Sequence, residues 1–301
     1  MKVIWIEGTE FPKIDDELCL TIGNFDGLHL GHQELINKTK KYRPLKSAVL
    51  TFYPHPFTVL KGLRPYRQLA PIKKKEELIE GFGVDYLFIV KFNMAIANMH
   101  KEEFMQNLLN LGAKHIVCGH DFTFAFKAEG SKSDLLKYFE VTEIGKYQID
   151  NVRVSTTYIK ELLSIGDIDK ANLMLNRKYS IKGIVIGGKK LGNTIGFPTA
   201  NLDYGNYFLP KNGVYAVYAR VLDKNYLGMV NIGYNPTVEY SEEIKVEVNL
   251  YNFDADIYGK EIEIAFLERI RPERKFNGIE DLKNQLESDR VKIKKLYPEL
   301  L

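Results

Sequence analysis

Apolar positions follow two different rhythms along the chain, and the change of rhythm divides it. In the first half, short continuous apolar runs ("LCLTIGN", "SAVLTFY", "DYLFIVK", "HIVCGH") alternate with helix-like segments ("GHQELINKTKKY", "PIKKKEELIEGF", "HKEEFMQNLLNLG", "SKSDLLKYF"). Runs apolar on both faces, separated by amphipathic helices, predict a parallel sheet covered on both sides. The expected architecture is a doubly wound α/β domain, where ligands sit at the carboxyl ends of the strands.

The rhythm changes near residue 177. "TTYIKELLSIGDIDKANLMLNRKY" reads as two short helices interrupted at Gly166 and Asp167. Strand-like runs follow at short spacing: "YSIKGIVIGG", "GVYAVYARVL", "YLGMVNIG", "IKVEVNLYNF" and "EIEIAFLERI". Turn residues between them predict an antiparallel sheet or small barrel. An amphipathic helix, about Gly278 to Tyr297, closes the chain. Two domains follow from this pattern, 1–178 and 179–301, which suits a length of 301 residues.

Composition narrows the classes. Apolar residues make up 45% and charged residues 27%, an ordinary globular balance. The net charge of +3, from 42 basic and 39 acidic residues, is too even to make nucleic acid the main partner. Lys73, Lys74 and Lys75 read as a solvated helix start, with phosphate steering as the competing reading. Cys19 and Cys118 sit alone in apolar runs, with neither zinc spacing nor a disulfide framework, and read as buried thiols. "MKVIWIEGTEF" reaches acidic residues too early for a signal peptide, and no apolar run approaches the ~18 residues of a spanning helix. The expectation is a cytoplasmic protein acting on small molecules, with no membrane or nucleic-acid partner, as a monomer or weak homo-oligomer.

The stretch "TIGNFDGLHLGHQEL" carries the first candidate chemistry. It follows a strand and opens a helix. Gly23, Gly27 and Gly31 allow close backbone approach, and a helix start offers N–H groups and a positive dipole end to phosphate. His29 and His32, three apart, can point into one pocket and donate hydrogen bonds to a phosphate in transfer. A zinc pair and a purely structural turn are the competing readings. The spacing does not fit G-x-G-x-x-G.

Three further segments follow strands or open a helix. "TFYPHP" presents His55 between Pro54 and Pro56, beside aromatic rings able to stack on a heterocycle; a surface turn is the plainer reading. "GHDFTFAF" carries Asp121 among Phe122, Phe124 and Phe126, and also fits one face of a core strand. "VSTTYIKELL" opens a helix with Ser155, Thr156 and Thr157, of which capping explains one.

In the second half, "GGKKLGNTIGFPTANL" nearly fits a Walker A loop but holds Asn193 where lysine is needed, so a P-loop is rejected. A glycine-rich flap over a nucleotide remains open. In the extended "FPTANL", Thr199 and Asn201 share a face and offer oxygen donors suited to Mg²⁺. In "KVEVNLYNF", Val246, Val248 and Leu250 face one way, Glu247 and Asn249 the other. Glu247 fits a solvated face residue, or a general base for an alcohol attacking a phosphate.

Taken in order, strand, G-x-F-D-G-x-H-x-G-H and helix resemble the HxGH signature of the nucleotidylyltransferases. The whole chain resembles the bacterial FAD synthetase family, whose first domain, Rossmann-like, is an FMN adenylyltransferase and whose second is a six-stranded barrel riboflavin kinase with a C-terminal helix. The resemblance implies that His29 and His32 bind ATP phosphates in a turn shaped by Gly23, Asn24, Phe25 and Asp26. Ser155, Thr156, Thr157 and Lys160 would approach the triphosphate. His55, Pro56, Asp121, Phe122 and Phe124 would line the flavin side. The second half carries G-F-P-T-A-N-L, N-G-V-Y, N-I-G-x-x-P-T, a strand glutamate, Y-G and "RPERKF" in the family's order. There the resemblance implies that Gly187, Gly192, Gly196, Pro198, Thr199 and Asn201 bind ATP, with Thr199 and Asn201 holding Mg²⁺. Glu247 would take the proton from the riboflavin 5′-hydroxyl, and Arg274 and Phe276 would seat the flavin.

Two departures bear on the first activity. Lys160 stands where the family usually has Arg, and loses the bidentate fork. "FTFAFKAEG" stands where the family has "FRFGxxRxG". The expected function is bifunctional: riboflavin and ATP give FMN, then FMN and ATP give FAD and pyrophosphate. The alternatives are the kinase kept with a weakened adenylyltransferase, a nucleotidylyltransferase for another cofactor precursor, and a flavin-sensing regulator.

Overall fold

The computed structural model describes residues 1–62, 66–187, 196–234 and 244–300. The chain forms two compact units, Met1–Thr156 and Thr157–Leu301.

The first unit is built on strands β1 (Lys2–Ile6), β2 (Leu18–Ile22), β3 (Lys46–Tyr53), β4 (Tyr86–Lys91), β5 (Ala113–Gly119) and β6 (Glu140–Ile144). All neighbours are parallel, in the order β1-β4-β3-β2-β5-β6. The chain moves outward from β2 through β3 to β4, then returns to place β5 on the other side of β2. That reversal is the switch point of a doubly wound sheet, where the loops after β2 and β5 open a crevice. The helices are α1 (Leu30–Thr39), α2 (Pro56–Lys61), α3 (Ile72–Glu80), α4 (Met94–Ala97), α5 (Lys101–Asn110) and α6 (Lys132–Leu135).

Alternate residues of the strands feed two cores. Leu20, Ala48, Leu50 and Phe88 pack with Phe104, Met105 and Leu108 of α5. Val49, Leu87 and Ile89 pack with Ile36 of α1 and Ile79 of α3. Cys19 and Cys118 are free and buried, and burial pushes their thiols up to about 12 and about 11. A two-stranded hairpin, β7 (Gln148–Ile149) and β8 (Val152–Arg153), turns through Asp150 and Asn151, both at positive φ.

Helices α7 (Thr156–Ile165) and α8 (Ile168–Leu175) break at Gly166 and Asp167, as the sequence predicts. The second unit then closes a barrel of six antiparallel strands in the order β10-β13-β12-β11-β14-β9. They are β9 (Ser180–Ile186), β10 (Ala200–Asp203), β11 (Gly213–Val221), β12 (Lys224–Tyr234), β13 (Ile244–Leu250) and β14 (Glu261–Arg271). Closure leaves no unpaired sheet edge. The helix α9 (Ile279–Leu296) contributes Ile293 to a cluster with Val214, Ala216 and Met229, against which Leu282 and Leu286 also pack. No helix among the described residues is long and apolar enough to cross a membrane.

One expectation is overturned. Lys75 is not part of a solvated helix start: it is 1% exposed, while Lys73 is exposed. The reason is helical phase. Lys75 and Ile79, four apart, are the buried positions of α3, so the third lysine of the run falls on the inward face.

Candidate active sites

The turn after β2 starts while still hydrogen-bonded to the sheet, Gly23 N–H donating to the Leu50 carbonyl at 3.0 Å. Phe25 (φ 46°), Gly27 (φ 83°) and Leu28 (φ 43°) then coil the backbone back on itself. His29 caps α1, its Nδ1 accepting from the His32 N–H at 3.3 Å. An accepting Nδ1 leaves the proton of a neutral His29 on Nε2. The two imidazoles stack at 3.7 Å between centroids and 17° between planes. Gly31 permits this, since a Cβ there would sit 3.3 Å from the His29 ring.

Two imidazolium rings this close would repel. Burial, then the neighbouring charges of His29 and Lys75, push the His32 pKa well below the ordinary histidine value. His32 therefore stays neutral near pH 7. Its Nδ1 is buried and without a hydrogen-bond partner among the described residues.

The other residues of the turn hold it in place. The Asp26 carboxylate accepts from the backbone N–H groups of Leu69 (2.8 Å) and Ala70 (3.1 Å). The Asp26 carbonyl accepts from the Thr156 hydroxyl at 2.8 Å. The Asn24 carbonyl accepts from Lys75 Nζ at 2.6 Å and from the Thr51 hydroxyl at 3.3 Å.

A cavity of about 880 Å³ opens over this turn, within the size range of small-molecule sites. It brings together Gly23, Asn24, Phe25, His29 and His32 with Pro56, with Asp121, Phe122 and Phe124 after β5, and with Ser155. His55 is 4% exposed; it caps α2, accepts from the Phe57 N–H at 3.2 Å and stacks on Tyr66 at 4.2 Å. Arg153, which also lines the cavity, donates to the Asp121 carboxylate. Burial alone would raise the Asp121 pKa; the bond to Arg153 and its charge outweigh that and hold it below the usual carboxylate value. Thr157 and Lys160 lie on α7, where the Lys160 ammonium stands 5.5 Å over the Phe208 ring.

The second constellation is a row across the barrel. Asn201 of β10 is directly opposite Glu247 of β13, and Glu247 is directly opposite Asn231 of β12. All three are half-buried, while Val246 and Val248 on either side of Glu247 are fully buried. Thr199 immediately precedes β10. The segment before it is pinned: the buried Asn249 donates its amide to the Pro198 carbonyl at 2.7 Å. Arg290 of α9 lies 5.2 Å over the Phe197 ring.

Glu273 accepts from the side chains of Asn212 and Asn231. Burial raises its pKa, and the charge of Glu247 adds to this. Its carboxylate occupies the space where a Cβ on Gly233 would stand. Arg274 stands 4.7 Å over the Phe276 ring and bonds Asp281 at 3.1 Å. Gly187 follows β9, and Gly196 has φ 80°. Gly192, Pro236 and Thr237 lie outside the described residues.

Sequence reasoning gave no site role to Arg153, Asn249 or Glu273, and it took Lys75 for part of a solvated helix start, with phosphate steering as the competing reading. The buried phase of α3 marks Lys75. The alternation of β13 put Asn249 on the face of Glu247, but its bond to Pro198 depends on which strands pair. Among the described residues, no group of three or more His, Cys, Asp or Glu is placed to hold a metal ion.

Comparison with known proteins agrees with this division. Residues 11–158 match the FAD synthetase family model, and residues 175–297 match the riboflavin kinase family model. A bifunctional riboflavin kinase/FMN adenylyltransferase of Listeria monocytogenes is 40% identical, over 98% of this chain and 95% of its own. One from Bacillus subtilis is 41% identical over 90% of both chains. A solved structure described as a macrolide-efflux protein from Streptococcus pneumoniae superposes with a TM-score of 0.90 at 29% identity, covering 98% of this chain and 99% of that one.

Proposed function

Since the chain belongs to the family of bifunctional riboflavin kinases/FMN adenylyltransferases, we propose that its two reactions are carried by the two constellations described above. It is a riboflavin kinase and an FMN adenylyltransferase, making FMN from riboflavin and FAD from FMN at the expense of ATP.

We assign adenylylation to the cavity over the 23–29 turn. The observation that carries this is the stacked His29–His32 pair, with His32 held neutral by burial and its Nδ1 buried and unpartnered among the described residues. Neutral imidazoles donate hydrogen bonds to phosphate oxygens without giving up a proton. As the FMN phosphate attacks the α-phosphorus, negative charge grows on oxygens facing the pair, and pyrophosphate leaves. Phe122 and Phe124 offer stacking faces for the flavin ring, and Ser155 offers a hydroxyl on the same cavity wall.

We assign phosphorylation to the Asn201–Glu247–Asn231 row. Glu247 accepts the proton of the riboflavin 5′-hydroxyl as its oxygen attacks the γ-phosphorus of ATP. Asn201 and Asn231 flank it across the strand register. Thr199 and Asn201 are hard oxygen donors, fitting a Mg²⁺ that takes most of its ligands from water and phosphate. When bound, the ion neutralises triphosphate charge. Arg274 and Phe276, stacked together, form a platform for the flavin. The limits 1–178 and 179–301 are our proposed domains, and the cytoplasm our proposed compartment.

The test is a single incubation of purified protein with riboflavin, ATP and Mg²⁺, following riboflavin, FMN and FAD by chromatography. Sequential appearance of FMN and FAD is expected. FMN accumulating without FAD, even when FMN is supplied, removes the adenylyltransferase assignment. FAD appearing only from supplied FMN removes the kinase assignment.

A further inference from the structure

Lys75 has no counterpart in the chemistry assigned so far. It does not line the cavity. Its ammonium lies behind the turn, within hydrogen-bond distance of the Asn24 carbonyl at 2.6 Å and the Thr51 hydroxyl at 3.2 Å. Thr51 bonds the same carbonyl. The three groups form a small triangle that ties the turn to β3; Asn24 lines the cavity, and Lys75 and Thr51 do not.

A carbonyl needs only a donor, not a charge. A buried hydroxyl or amide would serve Asn24 at far lower cost, because burying an ammonium removes its hydration. The cost is visible: burial pushes the Lys75 pKa from 10.5 down to about 8, against the opposing pull of Asp26. The Asp26 carboxylate is itself engaged with the N–H groups of Leu69 and Ala70. A charge kept at such a cost beside a candidate anion site has a use that a neutral donor lacks.

We propose that Lys75 is a positioning residue for adenylylation: its ammonium fixes the Asn24 carbonyl, and so the 23–29 turn, and sets a positive charge behind the two phosphate-facing histidines. The inference rests on reading that turn as the phosphate-handling element. Two effects follow from one group. The contact holds the backbone from which His29 and His32 are hung. The charge lowers the proton affinity of His32, together with burial and His29. It also favours the arrival of a triphosphate on the far side of the turn. Asp26 from the turn and His32 from α1 are the titratable groups that act on it or feel it.

The test uses the full chain with Lys75→Met, Lys75→Gln and Lys75→Arg. FAD formation from supplied FMN and ATP is measured as kcat/KM from pH 6.5 to 9.5. FMN formation from riboflavin is measured on the same preparations, and the thermal unfolding of each variant is recorded. Lys75→Met should lower kcat/KM for FAD formation by ten- to a hundredfold, with FMN formation within twofold of the parent. The parent should lose adenylylation as pH rises through about 8, where Lys75 gives up its proton, whereas Lys75→Arg keeps its charge and should show no such fall. Lys75→Gln, which keeps a donor without charge, should be slower than Lys75→Arg. In Lys75→Met, the His32 imidazole should titrate at higher pH by NMR, which the loss of a merely structural contact does not produce.

Wild-type kcat/KM in Lys75→Met, or Lys75→Gln as fast as Lys75→Arg, overturns the proposal. If Lys75→Met loses its cooperative unfolding transition, the Gln and Arg variants decide. His32→Ala separates the two levels of the argument. FAD formation undiminished in His32→Ala removes the phosphate reading of the turn; its loss there, with Lys75→Met unaffected, removes only the role of Lys75.

Discussion

The first unit gathers its candidate site into one turn after β2, closed in by loops from other strands and underlain by a buried lysine. The second unit spreads its candidate site along a row of half-buried side chains on three neighbouring strands of a barrel. The turn is held from behind by ties such as Asp26 to the 69–70 backbone and Asn24 to Lys75. The row is held by the ladder hydrogen bonds of the sheet itself. A site hung on a turn depends on distant packing for its geometry; a site written into strand register inherits its geometry from the backbone. The two should therefore fail differently when disturbed.

The sharpest contrast comes from removing one reacting group on each side. Glu247→Ala should lower FMN formation by about 10²–10⁴-fold, the usual contribution of a general base, and leave FAD formation from supplied FMN intact. His32→Ala should do the reverse, lowering FAD formation by about 10²–10³-fold, as for loss of one preorganised donor. Chromatographic rates for both products on both variants check this. Loss of both products in either variant breaks the idea that the sites work independently.

The second contrast is in pH dependence. The folded pKa of Lys75 is about 8, against 10.5 when unfolded, so between these values the unfolded chain binds more protons. Stability from this group therefore rises as pH increases from about 8 toward 10.5, by up to about 3 kcal/mol at 1.36 kcal/mol per unit. Denaturant unfolding at pH 7.5 and 10, taken as the difference between parent and Lys75→Met, measures it. The subtraction also cancels Cys19, whose raised pKa acts in the opposite direction at alkaline pH. In the barrel the sign is reversed. Glu273 is raised above 4.5, so its contribution is present at acid pH and fades as pH rises through its folded value.

A third contrast concerns close packing at the row. Glu273 bonds Asn212 and Asn231 while filling the space above Gly233. Gly233→Ala should push that carboxylate away and release Asn231, the residue opposite Glu247. A misplacement near 1 Å can cost roughly 10²-fold, so FMN formation should fall by about ten- to a hundredfold with adenylylation unchanged. An unaffected kinase rate would show that Glu273 has no part in orienting the row.

The two units also differ in how far the sequence revealed them. The core strands of the first unit were plain because burial on both faces leaves continuous apolar runs. Its two edge strands were not: β1 and β6 are half-exposed, and the "EVTEI" of β6 carries two exposed glutamates, as edges do. In the barrel, β10 is four residues long and follows a proline-containing turn, so only its "FPTANL" chemistry stood out. The His29-x-x-His32 turn was legible because its residues are contiguous. Lys75 was hidden inside a lysine run that reads as one solvated stretch, although Lys73 is exposed, Lys74 half-buried and Lys75 buried. The Asn201–Glu247–Asn231 row cannot be read from one strand alone, because register is a property of pairs.

The smallest effect lies in the segment where the chain departs from its family. Ala125 stands where the resemblance leads one to expect glycine, and its backbone is at φ 66°, ψ −168°. That region is essentially reserved for glycine, and a Cβ there costs of order 1–3 kcal/mol. Ala125→Gly relieves the strain but adds about 0.5–1 kcal/mol of unfolded-state freedom. The net gain should be about 1 kcal/mol, a rise of about 2–4 °C in the unfolding temperature of a unit this size. Ala125 lines the cavity beside Phe124 and Phe126, so the gain should be confined to the first unit, with FMN formation unchanged. If Ala125→Gly lowers the unfolding temperature, the strain has been absorbed by neighbours such as Lys127 and Ala128, which are also at positive φ. The altered loop would then be an adapted conformation that this chain's residues have come to prefer over the family's.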